Sequence, residues 1–221
     1  GNSITDGGEW SEQFADLKIK NRGISGDITA GVLNRLDEVY SRRPAKVFLL
    51  IGTNDLARNL SPDSVTKNIF QIATLLHEKS PLTKLYVQSV FPVNEQFGKF
   101  SGHTSKKQQI IETNQLLRRH SAQYKYQYTD VGTALSDSTG RLSVAFTNDG
   151  LHLTGPGYVR WKETIYESIY DLPALIPRPI SLQWNHQKVD LNGFKFIVAE
   201  NPLLKQEALL VQSLFTKYKT A

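Results

Sequence analysis

Cysteine and methionine are both absent from this chain of 221 residues. Lacking cysteine, it can hold no disulfide framework, no thiolate nucleophile and no zinc site built on thiolates. Long apolar runs are missing too. The longest, such as 47–51 (V-F-L-L-I), are strand-length and too short to cross a bilayer, and no secretory leader pattern is visible. Charge of one sign is not in great excess: 26 basic and 21 acidic residues give a formal +5, and the basic ones come in short pairs such as Arg42-Arg43, Lys106-Lys107 and Arg118-Arg119. Scatter of that kind makes a solvated surface, not the basic stripe of a nucleic-acid binder. Neither a Walker A sequence nor a Gly-x-Gly-x-x-Gly run follows any predicted strand, which argues against a nucleotide- or flavin-binding domain.

What is present, up to about residue 171, is an alternation of strand-like and helix-like stretches. Leu17–Asn21 reads as a short strand, and Ile28–Tyr40 as a helix carrying Val32, Leu33, Leu36 and Val39 at helical spacing. Lys46–Ile51 suits a strand buried on both faces. Val65, Ile69, Ile72, Ala73 and Leu76 mark the next helix and Leu85–Val90 the next strand. A polar loop over 94–104, a helix over 105–121, a strand over 126–131 and a last helix with Tyr158, Trp161, Ile165 and Ile169 inward complete the series. Repeated βα units predict a parallel sheet covered by helices, with sites outside the carboxyl ends of the strands. Gly23–Asp27 and Gly52–Asp55 both follow such ends. Ser3 should as well, yet only two residues precede it, so a further apolar strand is expected upstream.

Residues 172–221 differ in character. Pro173, Pro177 and Pro179 punctuate a linker, 180–184, 189–191 and 194–199 read as short strands, and Asn192-Gly193 is a hairpin-turn signal. Asn201-Pro202 then opens an amphipathic helix with Leu203, Leu210 and Leu214. So few residues bury little core alone. The segment is expected to be the truncated start of a second, α+β domain.

The chemistry lies in four short segments. Asp149 and His152 stand three residues apart, a spacing that places both side chains on one face of a turn or helix start. The carboxylate can then fix one imidazole nitrogen and leave the other for a hydroxyl. Ser3 offers that hydroxyl, and the trio is what acyl transfer by a serine nucleophile needs. Gly26 can bring a backbone N–H close to a developing oxyanion, and Asn54 can add a side-chain amide. Taken singly, Ser3 reads as a turn serine and Asp149–His152 as an Asp-Gly turn before a surface histidine. Asp27, Thr53 and Asp55 read as loop-bracing groups. Arg58 is a candidate to hold an acidic substrate group, and Trp10, Gln88 and Phe91 a candidate sugar platform, against readings as a surface ion pair and ordinary packing. His77, His103, His120 and His186 have no partner pattern and read as surface or structural histidines.

Gly1-Asn2-Ser3, Gly26, Gly52-Thr53-Asn54-Asp55 and Asp149-x-x-His152 resemble, in order, the signature blocks of the SGNH (GDSL) esterases. Within that family 21–29 (N-R-G-I-S-G-D-I-T), 51–55 (I-G-T-N-D) and 151–158 (L-H-L-T-G-P-G-Y) are similar to the platelet-activating-factor acetylhydrolase subgroup. Over residues 1–171 the resemblance implies a three-layer α/β/α flavodoxin-like fold with a mostly parallel five-stranded sheet. It implies Ser3 as nucleophile, His152 as base, Asp149 as orienting acid, and an oxyanion hole of the Ser3 and Gly26 N–H groups with the Asn54 amide, needing no metal or organic cofactor. Asn2 stands where the family's first block has aspartate, a residue outside the triad. In the tail, 175–180 (L-I-P-R-P-I) and 193–196 (G-F-K-F) resemble the opening of the non-catalytic N-terminal domain of family 20 β-N-acetylhexosaminidases. That implies an esterase fused to a glycosidase. The expected function is removal of a small acyl group, acetyl first, from a carbohydrate such as an O-acetylated sialic acid or hexosamine glycan, in an exported protein that neither binds nucleic acid nor inserts into membranes. The alternatives are a lipid or short-chain carboxylesterase, and a non-catalytic glycan-binding domain that keeps the fold.

Overall fold

The run K-V-F-L-L-I, expected to be buried on both faces, is buried over 49–51 and half-buried over 46–48. In the computed structural model, which describes residues 1–170, Lys46–Leu49 of this run forms strand β1, paired in parallel with β2 (Lys84–Gln88). β2 pairs in parallel with β3 (Gln127–Thr129), so the strand order is β1-β2-β3, with Val47 opposite Leu85 and Val87 opposite Tyr128. Among the described residues the sheet has three strands, not the five expected. Leu17–Asn21 is turn and irregular chain rather than a strand, and Leu17 is 81% exposed. No described strand runs beside it to take up its N–H and C=O groups, and a strand exists only through such a ladder.

The helices follow in chain order: α1 (Ser3–Asp6), α2 (Trp10–Gln13), α3 (Thr29–Asn34), α4 (Asp37–Tyr40), α5 (Thr53–Ala57), α6 (Pro62–Lys79), α7 (Ser101–Thr104), α8 (Lys107–His120), α9 (Gly132–Leu135) and α10 (Gly155–Tyr170). The single helix expected over 28–40 is two, because Arg35 leaves the helical region at φ −122° and α4 starts anew. α6 has clear start signals: Ser61 Oγ accepts from Ser64 N at 3.2 Å and Pro62 takes the first turn, where its missing N–H costs nothing. Its Val65, Ile69, Ile72, Ala73 and Leu76 are all buried, as the spacing predicts. α6 packs against α3 and α8, and α10 against α9. The loop expected over 94–104 contains a 3₁₀ turn at Glu95–Phe97 as well as α7. Residues 171–221, where the linker, hairpin and final helix are expected, lie outside the described residues, and so does the resemblance to a glycosidase.

One joint ties the two ends of the described chain together. Trp161 of α10 is 2% exposed; its ring meets Trp10 of α2 edge-on at 4.5 Å and Phe91 edge-on at 4.7 Å, while its Nε1–H donates to Gln88 Oε1 at 2.5 Å. Trp10, Gln88 and Phe91 are themselves 7%, 3% and 1% exposed. This corrects the expectation of a sugar platform: each of the three is buried and spent on Trp161. Tyr158 adds a hydrogen bond from its hydroxyl to Ile4 O at 2.9 Å. Burial, with Asp6 nearby, pushes that phenol up to about 12, so it keeps the proton it donates.

Truncating the joint should be costly. Trp161→Ala removes a buried ring and leaves the Gln88 amide without its donor, so about 3–5 kcal/mol of stability should be lost. Urea denaturation would report this as a lower midpoint at an unchanged slope; a loss below about 1 kcal/mol would contradict the packing described.

Candidate active site

Each end of the site is built by local backbone chemistry. Asn2 caps α1, its Oδ1 accepting from Ile4 N at 3.1 Å, and is itself 1% exposed. Ser3 is therefore the first residue of α1. Asn2 thus serves as a buried cap, which is why an amide can stand where the family has a carboxylate. At the other end, Thr147 Oγ1 accepts from Gly150 N at 2.9 Å, and Asp149 Oδ1 accepts from the N–H groups of Leu151 and His152, both at 2.8 Å. Gly150 turns with φ +83°, and a Cβ there would strike the carbonyl oxygen of Asn94, so only glycine fits. Asn94 N in turn donates to Gly150 O at 2.8 Å.

That turn aims the imidazole. His152 Nδ1 lies 2.8 Å from Asp149 Oδ2, and His152 Nε2 lies 3.3 Å from Ser3 Oγ. An ionised carboxylate only accepts, so Nδ1 carries the ring proton and Nε2 presents a lone pair to the serine hydroxyl. Burial alone would raise the Asp149 carboxyl. The hydrogen bonds from the His152 ring and from the His152 and Leu151 N–H groups outweigh it and hold Asp149 below its ordinary value.

The other two segments interlock. Asp55 is fully buried and accepts from Thr29 N at 3.0 Å and from Thr29 Oγ1, which Asn68 Nδ2 meets at 2.8 Å. Burial raises the Asp55 carboxyl, and the Thr29 bonds work against it. Asp27 pairs with Arg35 and is a bracing group like Asp55. Gly26 turns at φ +79° and Gly52 at φ +122°. Asn54 Nδ2 donates to Asp27 O at 2.8 Å, and Ile24 N donates to Gly1 O at 2.9 Å, which links the Gly26 loop to the Ser3 segment. No described group accepts from the N–H of Ser3 or of Gly26. Arg58 is exposed, its Nη2 3.3 Å from Gly26 O.

Two residues here were not legible as site residues. His103 was expected at the surface or in a structural role, yet its Nε2 lies 3.0 Å from Asn54 Oδ1. Phe100 has φ +50° and its ring stands edge-on to His152 at 5.2 Å and to His103 at 6.2 Å. Both fall in the stretch expected as a polar loop, Phe100 just before α7 and His103 within it, and only the fold brings positions 54, 100, 103 and 152 together. His77 and His120 are peripheral, near Lys125 and Gln123, and His186 lies outside the described residues. Among the described residues no three His, Cys, Asp or Glu side chains gather as metal ligands, and no helix is long and apolar enough to cross a membrane.

Comparison with known proteins identifies the family. The family model of the GDSL-like lipase/acylhydrolases matches residues 1–160. The human platelet-activating factor acetylhydrolase IB subunit alpha2 is 30% identical over 166 residues, covering 74% of this chain and 69% of its own. A GDSL-like lipase from Bacteroides thetaiotaomicron superposes with a TM-score of 0.65 at 28% identity, over 77% of this chain and 85% of that one. An acetyl-xylooligosaccharide esterase from Geobacillus stearmophilus reaches a TM-score of 0.55 at 20% identity, over 67% of this chain and 70% of that one, which shows the fold alone. The α/β fold with a parallel sheet is that of the SGNH family, as the signature blocks imply.

The lowered Asp149 gives a pH signature. Its folded-state pKa lies below the unfolded one, so the stability it contributes is present above the ordinary carboxylate range and is lost as pH falls through the lowered value. Thermal denaturation from pH 7 to acid (on the order of pH 2) should show the wild type converging on Asp149→Asn in that window. A gap that does not change with pH would contradict the assignment.

Proposed function

The chain belongs to the GDSL-like lipase/acylhydrolase family, an ester hydrolase family, and from that premise we propose that it removes a small acyl group, acetyl first, from a carbohydrate by a serine acyl-enzyme route. The observation that carries the reading is the continuous relay from Asp149 Oδ2 to His152 Nδ1 at 2.8 Å and from His152 Nε2 to Ser3 Oγ at 3.3 Å.

His152 takes the hydroxyl proton as Ser3 Oγ attacks the ester carbonyl, and Asp149 stabilises the imidazolium that forms. Negative charge grows on the carbonyl oxygen. The unengaged N–H groups of Ser3 and Gly26 and the second amide hydrogen of Asn54 are the donors proposed to receive it. Collapse expels the alcohol, protonated by His152, and water activated by the same base hydrolyses the acyl-serine.

Acetyl is favoured because the human relative is named an acetylhydrolase. The carbohydrate half rests on the resemblance of the tail to a hexosaminidase domain, and export follows from it. Arg58, exposed beside Gly26, is suited to an anionic group such as a sialic acid carboxylate.

Ser3→Ala should abolish turnover of p-nitrophenyl acetate; undiminished hydrolysis would remove Ser3 as nucleophile. Asn54→Ala should lower kcat by about 10²–10³-fold, or roughly 2.7–4 kcal/mol; an equal kcat would take Asn54 out of the oxyanion hole. For the substrate, acetate release across O-acetylated hexosamines, O-acetylated sialic acids, platelet-activating factor and long-chain p-nitrophenyl esters should be fastest with an acetylated sugar. Preference for a lipid or a long acyl chain would favour the lipid-esterase reading instead.

A further inference from the structure

We infer that His103 is a positioning residue whose Nε2–H holds the Asn54 carboxamide in the orientation that leaves a side-chain N–H for the oxyanion. The inference rests on the esterase reading above and assigns a role to a residue outside the four signature segments.

The argument runs through donors and acceptors. Asp27 O, a backbone carbonyl, can only accept, so the group 2.8 Å from it must be the NH2 of Asn54. The Asn54 oxygen therefore faces His103 Nε2 at 3.0 Å. That oxygen also only accepts, so His103 Nε2 must carry a hydrogen. Both ends of the carboxamide are thus pinned, one amide hydrogen is used on Asp27, and the other remains. The terminal torsion of asparagine is broad and two-fold; removing the His103 bond leaves the carboxamide held at one end only.

The ring is itself held in place. α7 packs against α5, which carries Asn54. His103 N donates to Phe100 O at 2.8 Å, and the Phe100 ring stands against both histidines. Burial lowers the His103 pKa, as do His152 and Arg58 nearby, which favours a neutral ring. A neutral ring keeps the hydrogen bond to Asn54 without placing a second positive charge near His152 when that base takes the serine proton.

The test combines kinetics with spectroscopy on the whole chain. With p-nitrophenyl acetate, His103→Leu should lower kcat roughly tenfold at a nearly unchanged KM, the scale of one lost hydrogen bond. His103→Gln, whose amide can donate from a similar place, should restore most of the rate. In an Asn54→Ala background, His103→Leu should have little further effect. A His103→Leu enzyme as fast as wild type, or a loss that persists undiminished without Asn54, would overturn the role. In the free protein, ¹⁵N NMR should find neutral His103 protonated on Nε2; the Nδ1–H form would overturn it whatever the kinetics. Hydrolysis independent of Ser3 would overturn the esterase reading and this role together, whereas Ser3-dependent hydrolysis insensitive to His103→Leu would overturn the role alone.

Discussion

The 3.3 Å approach of Ser3 Oγ to His152 Nε2 requires the first and last segments of the described chain to be held against each other. Neither group is useful without it: a serine hydroxyl is a weak nucleophile at neutral pH, and an imidazole beside nothing has no proton to take. The contact is supported from below by the aromatic joint. Trp10 and Trp161 lock α2 to α10, Gln88 and Phe91 bind Trp161 to the sheet side, and the Tyr158 hydroxyl holds the backbone of Ile4, one residue past the serine. Stability and chemistry therefore meet in one place.

The Asn54 side of the site depends on a second kind of constraint, polar groups satisfied by one another. Buried Asp55 fixes Thr29, and Asp27 offers its carbonyl to Asn54, while its carboxylate holds Arg35. Leaving buried Asp55 or Thr29 unpaired would cost about 1–3 kcal/mol, which gives the loops a reason to stay where the glycines let them turn. Phe100 then brings the two halves together, since its ring stands edge-on both to His152 and to the His103 that contacts Asn54.

Much of this was legible in the sequence, and the misses have physical causes. Asp149 and His152 could be read because their relation is local, set by spacing along one turn. The helix marked by Val65, Ile69, Ile72, Ala73 and Leu76 could be read because its apolar period is local too, whereas its start at Ser61 and Pro62 emerged only in the structure. His103 could not: its partner is Asn54, and no local pattern encodes a contact made by tertiary packing. Trp10, Gln88 and Phe91 were misplaced for a related reason. An aromatic near a strand end looks the same in sequence whether it lines a cleft or closes a core, and here Trp161 supplies the surface that buries all three. Leu17–Asn21 failed as a strand because a strand is a relation between two segments and not a property of one.

The central claim is that His152, oriented by Asp149, makes Ser3 a nucleophile. Reaction with a fluorophosphonate probe measures this most directly, because it reads the activated hydroxyl without any assumption about the natural ester. The account predicts one adduct per chain, located on Ser3 by peptide mass spectrometry, with labelling greatly slowed in His152→Ala. Labelling at another residue, or no labelling of a folded protein, would contradict it.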